Sequence, residues 1–207
     1  RVTWDDAYTY HAKAMKNIDT ILAALDTIDK TSTDAALLER SKEARAATLE
    51  YRKGYESGVA ALKANKEAVK IMNSEGLLVI KLADDYYQST KKEDALWVYI
   101  TALRIMKAEK EERLHKDREY YKEMLKQQAT LIRYYDELDP AGTDDKVNQA
   151  RKATDSYFKA AAAWIENDTK LTKEILPKMD QLGMGVIRLA YDAANDAAKG
   201  MIATQNL

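Results

Sequence analysis

Ala44-Arg45-Ala46-Ala47-Thr48-Leu49-Glu50-Tyr51-Arg52-Lys53 is the stretch on which the fold turns, because it returns as Ala150-Arg151-Lys152-Ala153-Thr154-Asp155-Ser156-Tyr157-Phe158-Lys159. Downstream, Val79-Ile80-Lys81-Leu82-Ala83-Asp84-Asp85 returns as Val186-Ile187-Arg188-Leu189-Ala190-Tyr191-Asp192. Upstream, Asp26-Thr27-Ile28-Asp29 followed by Thr33-Asp34 matches Asp136-Glu137-Leu138-Asp139 followed by Thr143-Asp144. The matches fall in the same order, which points to an internal duplication with repeats at about 1–90 and 91–207.

Composition sets the fold class. The 207 residues include 7 Gly and 2 Pro, and 32% are Asp, Glu, Lys or Arg, so turn and sheet punctuation is scarce. Long helices with one buried stripe and a solvated remainder suit that mixture, and the expectation is all-α. A net charge of −1 provides no field for nucleic acid, and no basic run stands out. With no Cys, disulfide and thiolate chemistry are excluded. The longest apolar run, Leu77 to Ile80, is far below the ~20 residues that span a bilayer. No signal peptide is visible. A helical pattern already running at Val2 and continuing to Leu207 suggests a segment of something longer.

Helix ends are expected at 29–33 and 139–143, each closing on a Thr suited to N-capping, with Pro140 unable to continue its helix. Thr90-Lys91-Lys92-Glu93 reads as a capping box, and Asp117 as the N-cap after an interruption at His115. Between these breaks apolar residues step by three and four. One line runs Ala44, Thr48, Tyr51, Tyr55, Gly58, Leu62, Asn65, Val69, Met72, Gly76, Val79, Ala83, Tyr86. Another runs Val147, Ala150, Thr154, Tyr157, Ala161, Trp164, Asp168, Leu171, Ile175, then skips to Leu182, Val186, Leu189 and Ala193. The skipped register at Pro177 predicts a kink. A third line is Trp4, Tyr8, His11, Met15, Ile18, Leu22, Leu25.

The two long helices, about 34–89 and 144–207, come to about 60 residues or roughly 90 Å each. The second needs a mate running up to Pro140, which predicts two helices end to end over about 93–138. The segment 2–28 is too short to match 34–89, so either a segment before Arg1 is missing or the lower bundle has three strands.

With these features the chain resembles the helical bimodular sensor domains of bacterial methyl-accepting chemotaxis receptors and related sensor kinases. The resemblance rests on the Tyr-containing repeat after each turn and on Arg104-Ile105-Met106-Lys107-Ala108-Glu109-Lys110-Glu111-Glu112-Arg113-Leu114. It implies an elongated bundle of two stacked four-helix modules, with two long helices and shorter ones. It also implies a single periplasmic-facing domain, residues 1–207, of an inner-membrane parent that senses small organic acids. The mate of the 93–114 helix is missing from that pattern.

Candidate ligand residues follow. Near the tips the repeated pairs Thr48, Tyr51 and Thr154, Tyr157 suggest a small polar pocket, roofed by Arg133, Tyr134 or Tyr135; Tyr packed in a bundle core with its hydroxyl at the rim is the plainer account. In the membrane-near module, Arg104 flanks the line Leu96, Ile100, Leu103, Lys107, and Arg188 sits between Ile187 and Leu189. Lys81 stands where Arg188 stands in the matched segment. An Arg at the edge of a core is a good carboxylate donor because its fork engages both oxygens. Glu112-x-x-His115 has the spacing of a di-iron ligand pair, but only one other His, His11, exists, and no acidic residue stands three before it. No catalytic set, metal site or cofactor loop is apparent, so an enzyme reading has no residues to rest on. Two classes stay open: a carboxylate-sensing domain, monomeric or weakly dimeric, and a structural or partner-binding bundle without a small-molecule pocket, such as a histidine-kinase sensor domain.

Overall fold

Two aspartates start the long helices. In a computed structural model, which describes the backbone of residues 4–205 and the side chains of 11–192, Asp34 Oδ1 accepts the amides of Ala36 and Leu37 at 2.8 and 3.3 Å. Asp144 Oδ1 likewise accepts those of Lys146 and Val147 at 2.9 and 3.1 Å. The caps are therefore the Asp residues after Thr33 and Thr143, not the threonines, because a carboxylate also answers the positive end of the helix dipole.

The order is α1 (Trp4–Thr31), α2 (Ala35–Thr90), α3 (Glu93–His115), α4 (Glu119–Leu138), α5 (Asp145–Lys170), a π turn (Leu171–Ile175) and α6 (Leu176–Gln205). The chain is an all-α helical bundle, with no strand among the described residues. The capping box at Thr90 does not form. Helix α2 runs through Thr90 and stops at Lys91, whose left-handed φ of 55° ends the helix, and Lys92 caps α3 without a side-chain bond. Asp117 accepts the first amide of α4, Glu119 N–H, at 3.1 Å, although Arg118 holds the cap position. At the register skip the structure has the π turn, in which Leu176 N–H donates to Leu171 O. The cause is Pro177: in α geometry its ring would meet the Lys173 carbonyl, and the wider turn moves that carbonyl away.

The stripes are buried much as their spacing predicts. Thr48, Gly58, Asn65, Met72, Gly76, Val79, Ala83 and Tyr86 are buried on α2; Leu62, 42% exposed, is not, and Ala61 takes its place. On α5 Val147, Ala150, Thr154, Tyr157, Ala161, Trp164 and Asp168 are all buried. On α1 Ile18 and Leu25 are buried; the side chains of Trp4 and Tyr8, and of Ala193 on α6, lie outside the described residues, as do Val2 and Leu207.

Contacts divide the chain into two compact units, Arg1–Ala61 with Thr169–Leu207, and Leu62–Asp168. In the second unit the later half of α2, then α3, α4 and α5, alternate in direction as a four-helix bundle. Trp97 of α3 stacks on Tyr134 of α4 at 6.5 Å, and His115 on Tyr120 at 5.6 Å. Helices α3 and α4 thus lie side by side and antiparallel, not end to end. Lys116 and Arg118, both left-handed with φ of 58° and 71°, reverse the chain between them. Length arithmetic missed this because it demanded one mate for a long helix and did not admit a hairpin beside half of it. In the first unit α1, the early half of α2, and the π turn with α6 make three helical segments. Arg52 pairs with Asp19 at 3.1 Å and Arg45 with Asp26 and Asp29 at 2.7 and 2.8 Å, so α1 and α2 are antiparallel. Arg151 pairs with Asp136 at 2.8 Å in the second unit, so matched residues make matched contacts. The units cut across the two sequence repeats.

Replacing Asp144 by Ala should lower stability by about 1 kcal/mol. Thr143→Ala should leave it within about 0.5 kcal/mol. Urea denaturation of both variants checks the assignment of the cap.

Candidate functional site

In the second unit the repeated Thr and Tyr turn inward. Thr154 Oγ1 lies 2.9 Å from Tyr135 Oη, which also points at the Ala150 carbonyl at 3.5 Å. Burial pushes the Tyr135 hydroxyl up to about 12. Tyr157 packs edge-on to Phe158, and its buried hydroxyl has no hydrogen-bond partner. Burial, with the neighbouring Glu109 charge, holds that hydroxyl far above the usual phenol range. Thr154 and Tyr157 line a void of about 20 Å³ with Gly76, Val79, Ala102, Ile105, Met106, Leu131 and Phe158. It has room for no more than a water molecule.

Thr48 and Tyr51 belong to the first unit and line a different space, a cleft of about 290 Å³ with Ala14, Asn17, Ile18, Ile21, Gly183, Val186 and Ile187. Thr48 is buried and returns its hydroxyl to the Ala44 carbonyl at 2.7 Å. The expected pocket of two Thr and two Tyr is therefore two cavities, one in each unit. Arg133 and Tyr134 belong with the second pair: Tyr134 is half-buried against Trp97, while Arg133 is exposed, 5.2 Å from the Tyr134 ring and 3.6 Å from Glu137.

The cationic candidates also separate. Arg104 is exposed on α3, as are Leu96, Leu103 and Lys107; the buried face is Ala95, Val98, Thr101, Ala102, Ile105, Ala108, Glu109 and Glu112. Ala95, Ala102 and Ala108 take part of that face because Tyr86, Tyr135, Met72 and Tyr157 from the neighbouring helices fill the space there. Lys81 is exposed and pairs with Asp85 one turn on. Arg188 lies in the first unit on a second, larger cleft of about 630 Å³. Its other walls are Glu43 and Ala47 of α2 and Lys178, Gln181, Leu182, Met184, Gly185 and Leu189 of α6. A Cβ at Gly185 would meet nothing within 4 Å, so the space above this glycine is open. Across α2 and α6, Lys178 Nζ reaches Glu50 at 3.0 Å and holds its carboxyl below the usual range.

The most concentrated chemistry in the second unit is an ionic cluster that sequence reading did not find. Asp168, 1% exposed, accepts Lys116 Nζ at 2.6 Å and Arg118 Nη2 at 2.9 Å. Burial works to raise its carboxyl, but the two cations outweigh it and the net shift is downward. Arg118 also bonds Glu112 at 2.8 Å, whose other oxygen accepts the Tyr121 amide at 3.2 Å. One turn earlier the buried Glu109 touches Arg113, and here burial prevails, raising the carboxyl. The available signal was the line Val98, Ala102, Ile105, Glu109, Glu112, an inner face whose last two places are acidic. Glu112 is thus engaged by Arg118 and Tyr121, while His115 is exposed and 3.4 Å from Glu111, so the Glu-x-x-His pair does not converge. Among the described residues no group of three His, Cys, Asp or Glu is placed to hold a metal, and no helix is long and apolar enough to cross a membrane. No protein-family model and no curated protein matches the chain.

The buried carboxylates Asp168 and Glu109 should respond to pH with opposite sign. The Asp168 carboxyl is lowered by folding, so its stabilisation is present above about pH 4 and is lost as pH falls through the lower folded value. Asp168→Asn should cost about 3 kcal/mol at pH 7 and progressively less in acid. The Glu109 carboxyl is raised, so its favourable contribution is complete below the ordinary Glu range and is lost as pH rises through the folded value. Glu109→Gln should therefore raise the urea midpoint at pH 7 and leave it unchanged near pH 4.

Proposed function

We propose that the chain is an extracytoplasmic ligand-sensing domain of a transmembrane chemoreceptor of the helical bimodular kind, facing the periplasm from an inner-membrane parent, and that it binds small carboxylates. The observation that carries this reading is the Arg188 cleft. Of the cations the sequence singles out, Arg188 lies on a concavity large enough for a small organic acid, beside a second cation, Lys178, and the amide of Gln181. An Arg fork, an ammonium and an amide on an apolar floor of Ala47, Leu182 and Leu189 suit a short acid with a hydrocarbon backbone.

Signalling follows from competition for Lys178. This ammonium ties α6 to Glu50 of α2. A ligand carboxylate that takes Lys178 releases the tie and adds its own contacts to Arg188, so it favours the arrangement in which α6 has moved. That difference in affinity is what allows a ligand to shift the balance. Helices respond in this way by sliding roughly 1–2 Å.

Calorimetry against a panel of mono-, di- and tricarboxylates is the test. At least one acid should bind, and Arg188→Ala should weaken it roughly tenfold or more. Arg104→Ala and Arg133→Ala, on exposed surfaces, should leave the affinity unchanged. If no acid binds at millimolar concentration, or Arg188→Ala has no effect, the structural-bundle reading replaces this one.

A further inference from the structure

The small void of the second unit and the Thr48–Tyr51 cleft of the first are lined by corresponding residues. In the matched segments Thr154 corresponds to Thr48, Tyr157 to Tyr51 and Val79 to Val186, and the same register aligns Gly76 with Gly183. The glycine contacts agree. A Cβ on Gly76 would lie 3.2 Å from Tyr157 Cε2, and one on Gly183 would lie 3.6 Å from Tyr51 Cε2. The difference lies on the other side of the glycine. Gly76 also faces Met106 of α3, at 3.0 Å from Sδ, whereas Gly183 meets nothing else within 4 Å. In the second unit α3 contributes Ala102, Ile105 and Met106 to the lining; in the first no α3 counterpart contributes among the described residues, and the space is about 290 Å³ instead of about 20 Å³.

Exposure follows the same division. Ala83 is buried and Ile80 half-buried, but their counterparts Ala190 and Ile187 are exposed, Ile187 at 70%. Leu131 is 2% exposed and its counterpart Ile21 is 39% exposed. Gly183, Ile187 and Ala190 step by four and three, a seam of two helical turns. Helix α6 thus carries a short exposed apolar line beside the line Leu182, Val186 and Leu189.

We propose that this seam and the cleft behind it are the seat of an amphipathic helix from a partner protein, running antiparallel to α6 and α1. Its inner face carries Ala, Ile and Met in the spacing of Ala102, Ile105 and Met106, with the long unbranched side chain over Gly183. A small apolar molecule in the cleft would leave Ala190, which lies outside its lining, uncovered. In a second copy, α3, the helix of the right chemistry, is already buried in its own unit. A helix covers the seam and fills the cleft at once, as α3 does where it is present.

The probe is a labelled synthetic peptide with the sequence of α3, Glu93–His115, titrated against the full chain and read by fluorescence anisotropy. Saturable binding is expected, and none with the same residues in scrambled order. Ile187→Asp and Ile21→Asp change exposed positions, and each should weaken binding by about tenfold or more. Arg188→Ala should leave peptide binding intact, which separates this surface from the carboxylate cleft. Absence of saturable binding up to about 1 mM, a range within ordinary weak association, overturns the proposal, as does equal binding by Ile187→Asp. Sedimentation of the chain alone tests the other occupant: a dimer abolished by Ile187→Asp, without peptide binding, assigns the face to a second copy and likewise overturns it.

Discussion

A carboxylate as enclosed as Asp168 stays ionised only if cations are brought to it, and that requirement organises the second unit. Lys116 and Arg118 reach it from the reversal between α3 and α4, and both adopt the left-handed conformation that costs a side chain about 1 kcal/mol or more. Arg118 is shared with Glu112, so the carboxylate on α5 and the one on α3 are held through a single guanidinium. The same reversal turns α4 back along α3, which brings Tyr135 to Thr154 and Tyr134 to Trp97. Without the cluster, the end of a four-helix interior would hold two unpaired buried charges, a far larger penalty than the strained turn.

Much of the fold was legible because helical spacing is a strong signal over long stretches. The α5 stripe from Val147 to Ile175 is buried throughout, and the register skip at Pro177 has a physical counterpart in the π turn. In helix α3 the size of a side chain does not report its burial. Leu96 and Leu103 are bulky and exposed, while Ala95 and Ala102 are small and inside, since aromatic and Met residues from three neighbours had already filled the volume. Nothing local to α3 reveals what its neighbours will occupy. The antiparallel hairpin was missed for a related reason: Lys116 and Arg118 in left-handed conformation carry no Gly or Asn signature, because their ion pairs rather than intrinsic preference hold them there.

The candidate sites were legible only in part. The recurrence of Thr48, Tyr51 with Thr154, Tyr157 marked two inward-facing positions, but sequence cannot say whether equivalent positions share one space or line one each. Arg104, Arg133 and Arg188 looked alike on paper, and only packing sets Arg188 beside Lys178 on a concave surface. Ligand chemistry depended on what stood across from each cation, which is tertiary information.

One extra residue within a helical turn rotates everything beyond it by about 100° relative to what precedes it. The π turn at Leu171–Ile175 therefore acts as a phase shifter between α5 and α6. Which side chains of α6 look toward α2 and which toward solvent is decided by five residues upstream, not by α6 itself. Drawing that turn into regular α geometry with every residue kept would rotate the residues beyond it by about 100° about the helix axis, and so re-index the surface of α6 without altering a side chain. In such a helix, surface identity is written in the backbone as much as in the side chains.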